Sequence, residues 1–348
     1  MNTQTSLVVT TIAQPTPAMR ALAMGASSVG WDFLVIGDVN TPGSFQLPGA
    51  EFISVEEQLK LGSEFAPRCP LRHYARKNIG YLLAIARGAQ ALVETDDDNL
   101  PLPAFFGKRE LNHTAPVVTD AGWVNVYRYF TETLVWPRGL PLNLVRQDPP
   151  DLPRLAARST ACPIQQGLAD DNPDVDAVYR LVRELPVRFE QRGPVALGAG
   201  SWCPFNSQNT TWFARAFELM YLPGTCSPRL TDIWRGLVAQ RIAWANDWSV
   251  LHHAATVRQE RNEHDLMKDF EHEVAGYRHN SAIVTALGEL ELASGETHVV
   301  DNLKKCYGVL VERGYLPREE MGLLEAWLTD VATARGVASQ AKPARRAA

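Results

Sequence analysis

From Ser6 to Glu94 the chain repeats one pattern: a short apolar run, a polar loop, then a segment of helical composition. Ser6–Ile12 (SLVVTTI) is β-branched and stops at Ala-Gln-Pro-Thr-Pro, and Ala18–Ala26 is helical in composition. Trp31–Gly37 (WDFLVIG) is a second run, closed by Asp38-Val-Asn-Thr-Pro-Gly, and Phe52-Ile53 begins a short third. Ser54 with Glu57 has capping-box spacing for a helix start. Tyr74–Gly88 predicts a helix with Ile79, Leu82, Leu83 and Ala86 on one face and Gly88 as its stop. Ala91–Glu94 is then a buried strand running into Thr95-Asp-Asp-Asp-Asn99. Strands separated by helices pair in parallel through right-handed crossovers. Such sheets take ligands at the carboxyl ends of their strands. The expectation is an α/β fold with the loops after Ile12, Gly37 and Glu94 on one edge.

The remainder is less regular. Leu134–Pro153 is rich in proline and reads as loop or crossover. Asp174–Leu185, Thr210–Met220 and Ser227–Trp244 read as helices, and Val250-Leu251 as part of a late strand. Ala282–Gly295, Thr297–Glu312 and Arg318–Arg335 suggest a helical C-terminal subdomain, and Gly336–Ala348 a disordered tail. With 45% apolar and 21% charged residues, this is the composition of a folded soluble protein. Lysine and arginine total 34 against 39 acidic residues, so no general basic field invites nucleic acid. No apolar stretch reaches the ~18 residues of a bilayer span, and no secretory leader is visible. The five cysteines are scattered and never form a CxxC, which favours a reducing compartment. A cytoplasmic location is expected.

The acidic triplet is the sharpest chemical feature. On an extended backbone Asp96 and Asp98 would share a side, where a hard divalent cation could bridge them to a diphosphate. The plain alternative is a solvated loop. Arg76 and Lys77, at the start of the preceding helix, could reach phosphates at the same edge. Asp232, with Arg235, Gln240 and Arg241 among Trp234 and Trp244, could be a helix cap or a general base. His252, His253 and His264 have no zincin or paired-histidine spacing, and each alone is more often structural. The pairs Asp170-Asp171 and Asp174-x-Asp176 flank Pro173, and at least one of them is expected to cap the helix beginning near Asp176. No GxSxG, Walker-type loop or GxGxxG is present, which disfavours serine hydrolases, P-loop kinases and dinucleotide oxidoreductases.

These segments, taken in order, resemble STELLO-type glycosyltransferases. The resemblance rests on Val8-Val-Thr-Thr11, Trp31–Pro42, Ile53–Gly62, Tyr74–Ile85, the acidic triplet, Gln165–Leu168 and Asp174-Val-Asp176. It continues through Pro204-Phe-Asn-Ser-Gln-Asn-Thr210 and Asp232-Ile-Trp-Arg-Gly-x-x-Ala-Gln-Arg241, spanning roughly residues 6 to 280. A more distant likeness is to the reversibly glycosylated polypeptides, which also carry an Asp triplet after a strand.

The resemblance implies a GT-A fold, a Rossmann-like and mostly parallel sheet flanked by helices. It implies a nucleotide-sugar donor, a UDP-sugar by preference, with Mn²⁺ or Mg²⁺ as cofactor and a glycan or other hydroxyl as acceptor. The implied metal ligands are Asp96 and Asp98 with a late histidine. His264 is favoured over His253 for its polar neighbours Arg258, Arg261, Asn262 and Asp265. An alternative register is Glu94-x-Asp96-Asp97. Thr10, Thr11, Asp38, Arg76, Lys77, Asp96 and Asp97 are expected around the donor, and Asp232 as the catalytic carboxylate. The corresponding division is a nucleotide-sugar half (1–115), an acceptor and catalytic half (116–280), a helical extension (281–335) and a tail (336–348). A homo-oligomer is compatible with this reading. A non-catalytic sugar-nucleotide scaffold and a nucleotidyltransferase are the rivals; the latter would carry a Gly-rich loop after its first strand.

Overall fold

The computed structural model describes residues 4–261 and 265–345. Its first half follows the alternation in the sequence. Strand β1 (Thr5–Thr11) leads to helix α1 (Pro17–Val29), and β2 (Asp32–Gly37) leads to β3 (Glu51–Ile53) and α2 (Val55–Leu59). Helix α3 (Lys77–Ala86), preceded by one 3₁₀ turn, delivers the chain to β4 (Ala91–Thr95). Local signals close the helix ends. Thr16 caps α1 by accepting from Met19 N, Pro17 opens the helix, and Gly30 closes it at φ +71°. Ser54 and Glu57 form the reciprocal capping box of α2.

The order β3-β2-β1-β4 is parallel throughout. From β1 the chain builds outward to β2 and β3 on one side, then returns to place β4 on the other. That reversal is a topological switch point, and it opens a crevice beyond the carboxyl ends of β1 and β4.

Beyond β4 the sheet becomes mixed, and here the sequence misled. A short strand β5 (Asn99–Pro101) is followed by β6 (Asn112–Val118), β7 (Gly122–Trp123), the long β8 (Ala157–Asp170) and helix α4 (Ala177–Val182). Short strands β9 (Val195–Leu197) and β10 (Ser201–Trp202) precede β11 (Asn209–Phe213), α5 (Thr231–Trp244) and β12 (Trp248–Gln259). Among the described residues, ten strands join in the order β3-β2-β1-β4-β11-β8-β6-β9-β12-β5, with β12 also parallel to β8. Residues Thr210–Phe213, expected to be helical, are instead a central strand antiparallel to both β4 and β8. Thr-Thr-Trp-Phe is β-branched and aromatic, and its burial on both faces hides the alternation that would mark it.

Helices α6 (Leu266–Gly288), α7 (Val299–Glu312) and α8 (Glu319–Arg345) close the chain. The Ala-rich stretch after Gly336 continues α8 rather than leaving it, as alanine's helix propensity allows. One large apolar cluster lies between the sheet and α3, α5, α7 and α8, and a smaller one lies under α1. Among the described residues no helix is long and apolar enough to cross a membrane.

Candidate functional site

A cleft of about 490 Å³ opens at the switch point. Its walls are the end of β1 with the loop after it (Thr10–Ala13), the loop after β2 with Asp38, residues Arg72–Tyr74, the acidic triplet, and Asp232 at the start of α5. Thr10, Thr11, Asp38, Arg76, Asp96, Asp97, Asp98 and Asp232, singled out from the sequence, all line this one space.

The triplet is not extended. β4 ends at Thr95 and Asp96–Asp98 make a tight turn into β5, with Asn99 N donating to Asp96 O at 3.3 Å. The two-residue alternation expected of a strand therefore does not apply, and the turn itself brings all three residues to the cleft. Each carboxylate has a different anchor. Asp97 accepts from the Thr11 hydroxyl at 2.5 Å, across the switch point, and the Thr16 hydroxyl donates to its carbonyl. Asp98 accepts from Gln259 of β12 at 3.1 Å. Asp96 accepts from Tyr74 Oη at 2.7 Å and from Lys77 Nζ at 3.2 Å. Burial raises the pKa of both Asp97 and Asp98, and the charge of Asp96 raises them further, that of Asp98 to about 6.

The basic pair lies beneath this rim. Lys77 Nζ is sealed from solvent and bonds Tyr74 Oη and Thr95 O, so it neutralises the turn from below and does not reach into the cleft. Arg76 lines the wall, but its guanidinium donates to Gln58 Oε1 and to Cys69 O. Both side chains that the sequence set toward phosphate are thus engaged with groups of the protein itself. Asp38 is likewise occupied, accepting from Val39 N at 2.7 Å and His73 N at 3.1 Å. That pins the β2 loop to the segment before α3. Glu94, the alternative first ligand, faces away from the cleft. It holds Arg235 through two bonds at 2.8 and 3.0 Å and accepts from Trp212 Nε1 and the Tyr81 hydroxyl.

Asp232 is neither a side-chain cap nor a free base. Its Oδ1 accepts from Arg138 Nη1 at 3.0 Å and from Ile233 N, and its Oδ2 from Arg138 Nη2 at 3.0 Å and Ser207 N at 3.1 Å. Burial alone would raise its pKa. The Arg138 charge and hydrogen bonds outweigh burial and bring it down to about 2. Arg138 also grips Asp174 with two bonds at 2.8 Å, so one guanidinium joins two buried carboxylates. The Ser207 hydroxyl lies 2.8 Å from Tyr74 Oη and 3.0 Å from Asp232 Oδ2, which links this node to Asp96.

His252 and His253 lie in β12 and contribute nothing to the cleft lining. Burial lowers their pKa values to about 3 and about 4. His264 lies outside the described residues. Among the described residues no group of three or more His, Cys, Asp or Glu side chains is assembled around a metal position. The turn still suits a hard dication. Its donors are carboxylate oxygens, two of them buried at an energetic cost that a cation would offset, with shell positions left for diphosphate oxygens and water.

Arg138, Arg229, Gln259 and Arg261 also line the cleft and were not singled out from the sequence. Each comes from a loop or strand end distant in sequence from the triplet. Asp176, as expected, caps its helix by accepting from Tyr179 N.

Residues 229–338 match the family model of STELLO glycosyltransferases. The chain is 29% identical over 352 residues to the probable glycosyltransferase STELLO2 of Arabidopsis thaliana, an alignment covering 94% of this chain and 45% of that one. It is 31% identical over 264 residues to the probable glycosyltransferase STELLO1 of the same plant, covering 70% and 34% respectively. The chain thus spans less than half the length of these curated relatives. A mycobacterial protein of known crystal structure aligns over 90% of the chain at TM-score 0.38 and 11% identity, too loosely to bear on fold or function. The resemblance read from the sequence is borne out.

Proposed function

We propose, from the premise that this chain is a relative of the STELLO glycosyltransferases, that it transfers a sugar from a nucleotide sugar, a UDP-sugar by preference, to an acceptor hydroxyl on a GT-A-type scaffold. The observation that carries this is the acidic turn Asp96–Asp98 at the switch point, in one cleft with the β1 and β2 loops. In this reading Thr10, Thr11 and the Asp38 loop receive the nucleoside. Asp96 and Asp98 would hold Mn²⁺ or Mg²⁺, which when bound offsets the charge of the departing diphosphate. Lys77 and Tyr74 fix Asp96 from beneath, so the turn does not have to reorganise as charge develops.

The place of Asp232 in this scheme differs from the general base suggested by its position. A carboxylate that already accepts from Arg138, Ser207 and Ile233 is a weak proton acceptor, and it acts here by fixing Arg138 and Ser207 at the cleft wall.

The test is thermal unfolding with UDP, with and without Mn²⁺. UDP at ~100 times its dissociation constant is expected to add about 2.7 kcal/mol of stability with Mn²⁺ and far less with EDTA. An equal shift in EDTA would exclude the metal bridge. No shift with any nucleotide or nucleotide sugar would exclude the donor reading altogether.

A further inference from the structure

The end of the cleft away from the β1 and β2 loops is rich in arginine. Arg229 and Arg261 line it. Asp269 and Glu273, one turn apart on α6, hold them side by side, with Arg261 Nη2 2.8 Å from Asp269 Oδ2 and Arg229 Nη2 2.6 Å from Glu273 Oε1. Glu273 is also shared, accepting from Tyr277 Oη at 2.6 Å and from Ala177 N at 2.8 Å.

Arg180 of α4 belongs to the same group but has no acidic partner among the described residues. Its guanidinium donates to Pro173 O at 3.0 Å and Asn172 Oδ1 at 3.4 Å, while its buried Nε has no partner. Burial lowers its pKa to about 9, with the charges of Arg261 and Arg229 adding to the effect. Arg261 is lowered by burial and then by Arg229. Two guanidinium groups paired to α6 carboxylates and a third with no ion pair of its own among the described residues thus lie together. The nearby charges of Asp174 and Asp269 ease this in part, and an anion entering among the three would offset their remaining repulsion.

We propose that this end of the cleft is an oxyanion subsite, filled by a phosphate or carboxylate group carried on the sugar acceptor. Arg229 and Arg261 would contact the anion with their planar forks, and Arg180 would add its charge from behind. The assignment to the acceptor rests on the transferase reading, which gives the acidic turn to the donor diphosphate and leaves this end for the second substrate. The anion subsite itself does not depend on that reading.

Two binding measurements separate the ideas. Inorganic phosphate, with acetate at equal ionic strength as the carboxylate arm, is titrated in EDTA against the wild type, Arg180→Gln and Arg261→Gln. UDP with Mn²⁺ is titrated separately against the same proteins. Phosphate or acetate is expected to raise the melting temperature of the wild type, and the larger shift identifies the anion class. Arg261→Gln is expected to bind that anion about tenfold more weakly through loss of a charge-assisted contact, and Arg180→Gln more weakly by a smaller factor through loss of a nearby charge. Unliganded Arg180→Gln is expected to melt close to the wild type, because burial and the neighbouring arginines weigh more on its charge than Asp174 and Asp269 favour it. Anion binding that is absent, or unchanged in both variants, would overturn the subsite. A parallel loss of UDP affinity in both variants would overturn its assignment to the acceptor. Anion binding by a wild type that shows no UDP binding would leave the subsite standing and sink the donor reading alone.

Discussion

Asp98→Asn is expected to make the metal-free protein more stable while lowering sugar transfer by about 10²–10³-fold. Asp98 is held at a pKa of about 6 by burial and by Asp96, against an ordinary carboxyl value of 3.8. Between roughly pH 4 and 6 the folded state therefore holds a proton that the unfolded state has lost, so stability falls as pH rises through that window. At pH 7 the penalty is fully present, on the order of 2–3 kcal/mol. An asparagine can keep its oxygen toward Gln259 and carries no charge. In EDTA, Asp98→Asn should therefore gain urea resistance at pH 7 and show a flatter profile between pH 4 and 6. In Mn²⁺ it should lose the UDP-induced shift. A variant that loses stability at pH 7 without metal would show that Asp98 serves the fold, and unchanged transfer would remove it from the donor site.

The second large effect is expected at Arg138. Arg138→Met would leave Asp174 and Asp232 buried without their shared cation. Removing one partner of a buried ion pair costs about 3–5 kcal/mol, a large part of the ~5–15 kcal/mol that holds a domain folded. Arg138→Lys should recover only part of this, since one ammonium cannot grip two carboxylates bidentately. Urea midpoints of the two variants check the order. Asp232→Asn is a companion case. An amide nitrogen would replace an oxygen that accepts hydrogen bonds, so stability and transfer should fall together. If transfer fell while the melting temperature held, Asp232 would be a proton acceptor after all.

The pattern of what the sequence foretold follows the range of the interactions. The capping box at Ser54, the first parallel strands and the edge carrying the acidic turn depend on neighbours in sequence or on a repeating period, and they were legible. The mixed half of the sheet was not. β8 and β11 are paired with strands far away in the chain, and buried pairing of that kind leaves no local period. The same holds at the site. Asp96–Asp98 announced itself as an improbable run of like charge, whereas Arg138 is one arginine in a proline-rich loop until Asp174 and Asp232 close on it. Where the Arg76 and Lys77 side chains turn was not legible, because their partners Gln58, Cys69, Thr95 and Tyr74 are supplied by the tertiary fold.

The bond between Asp98 and Gln259 joins residues 161 positions apart, and among the described residues β5, which begins immediately after the acidic turn, pairs only with β12. On a translating ribosome the turn is made long before the strand that holds it. At a synthesis rate of about 5–20 residues per second, the interval is roughly 10–30 s. For that time β1 to β4 can assemble as a parallel sheet, but their ligand edge lacks Gln259 on Asp98, and Glu94 lacks Arg235. The edge that carries the acidic turn is thus encoded early and finished late, when β12 arrives.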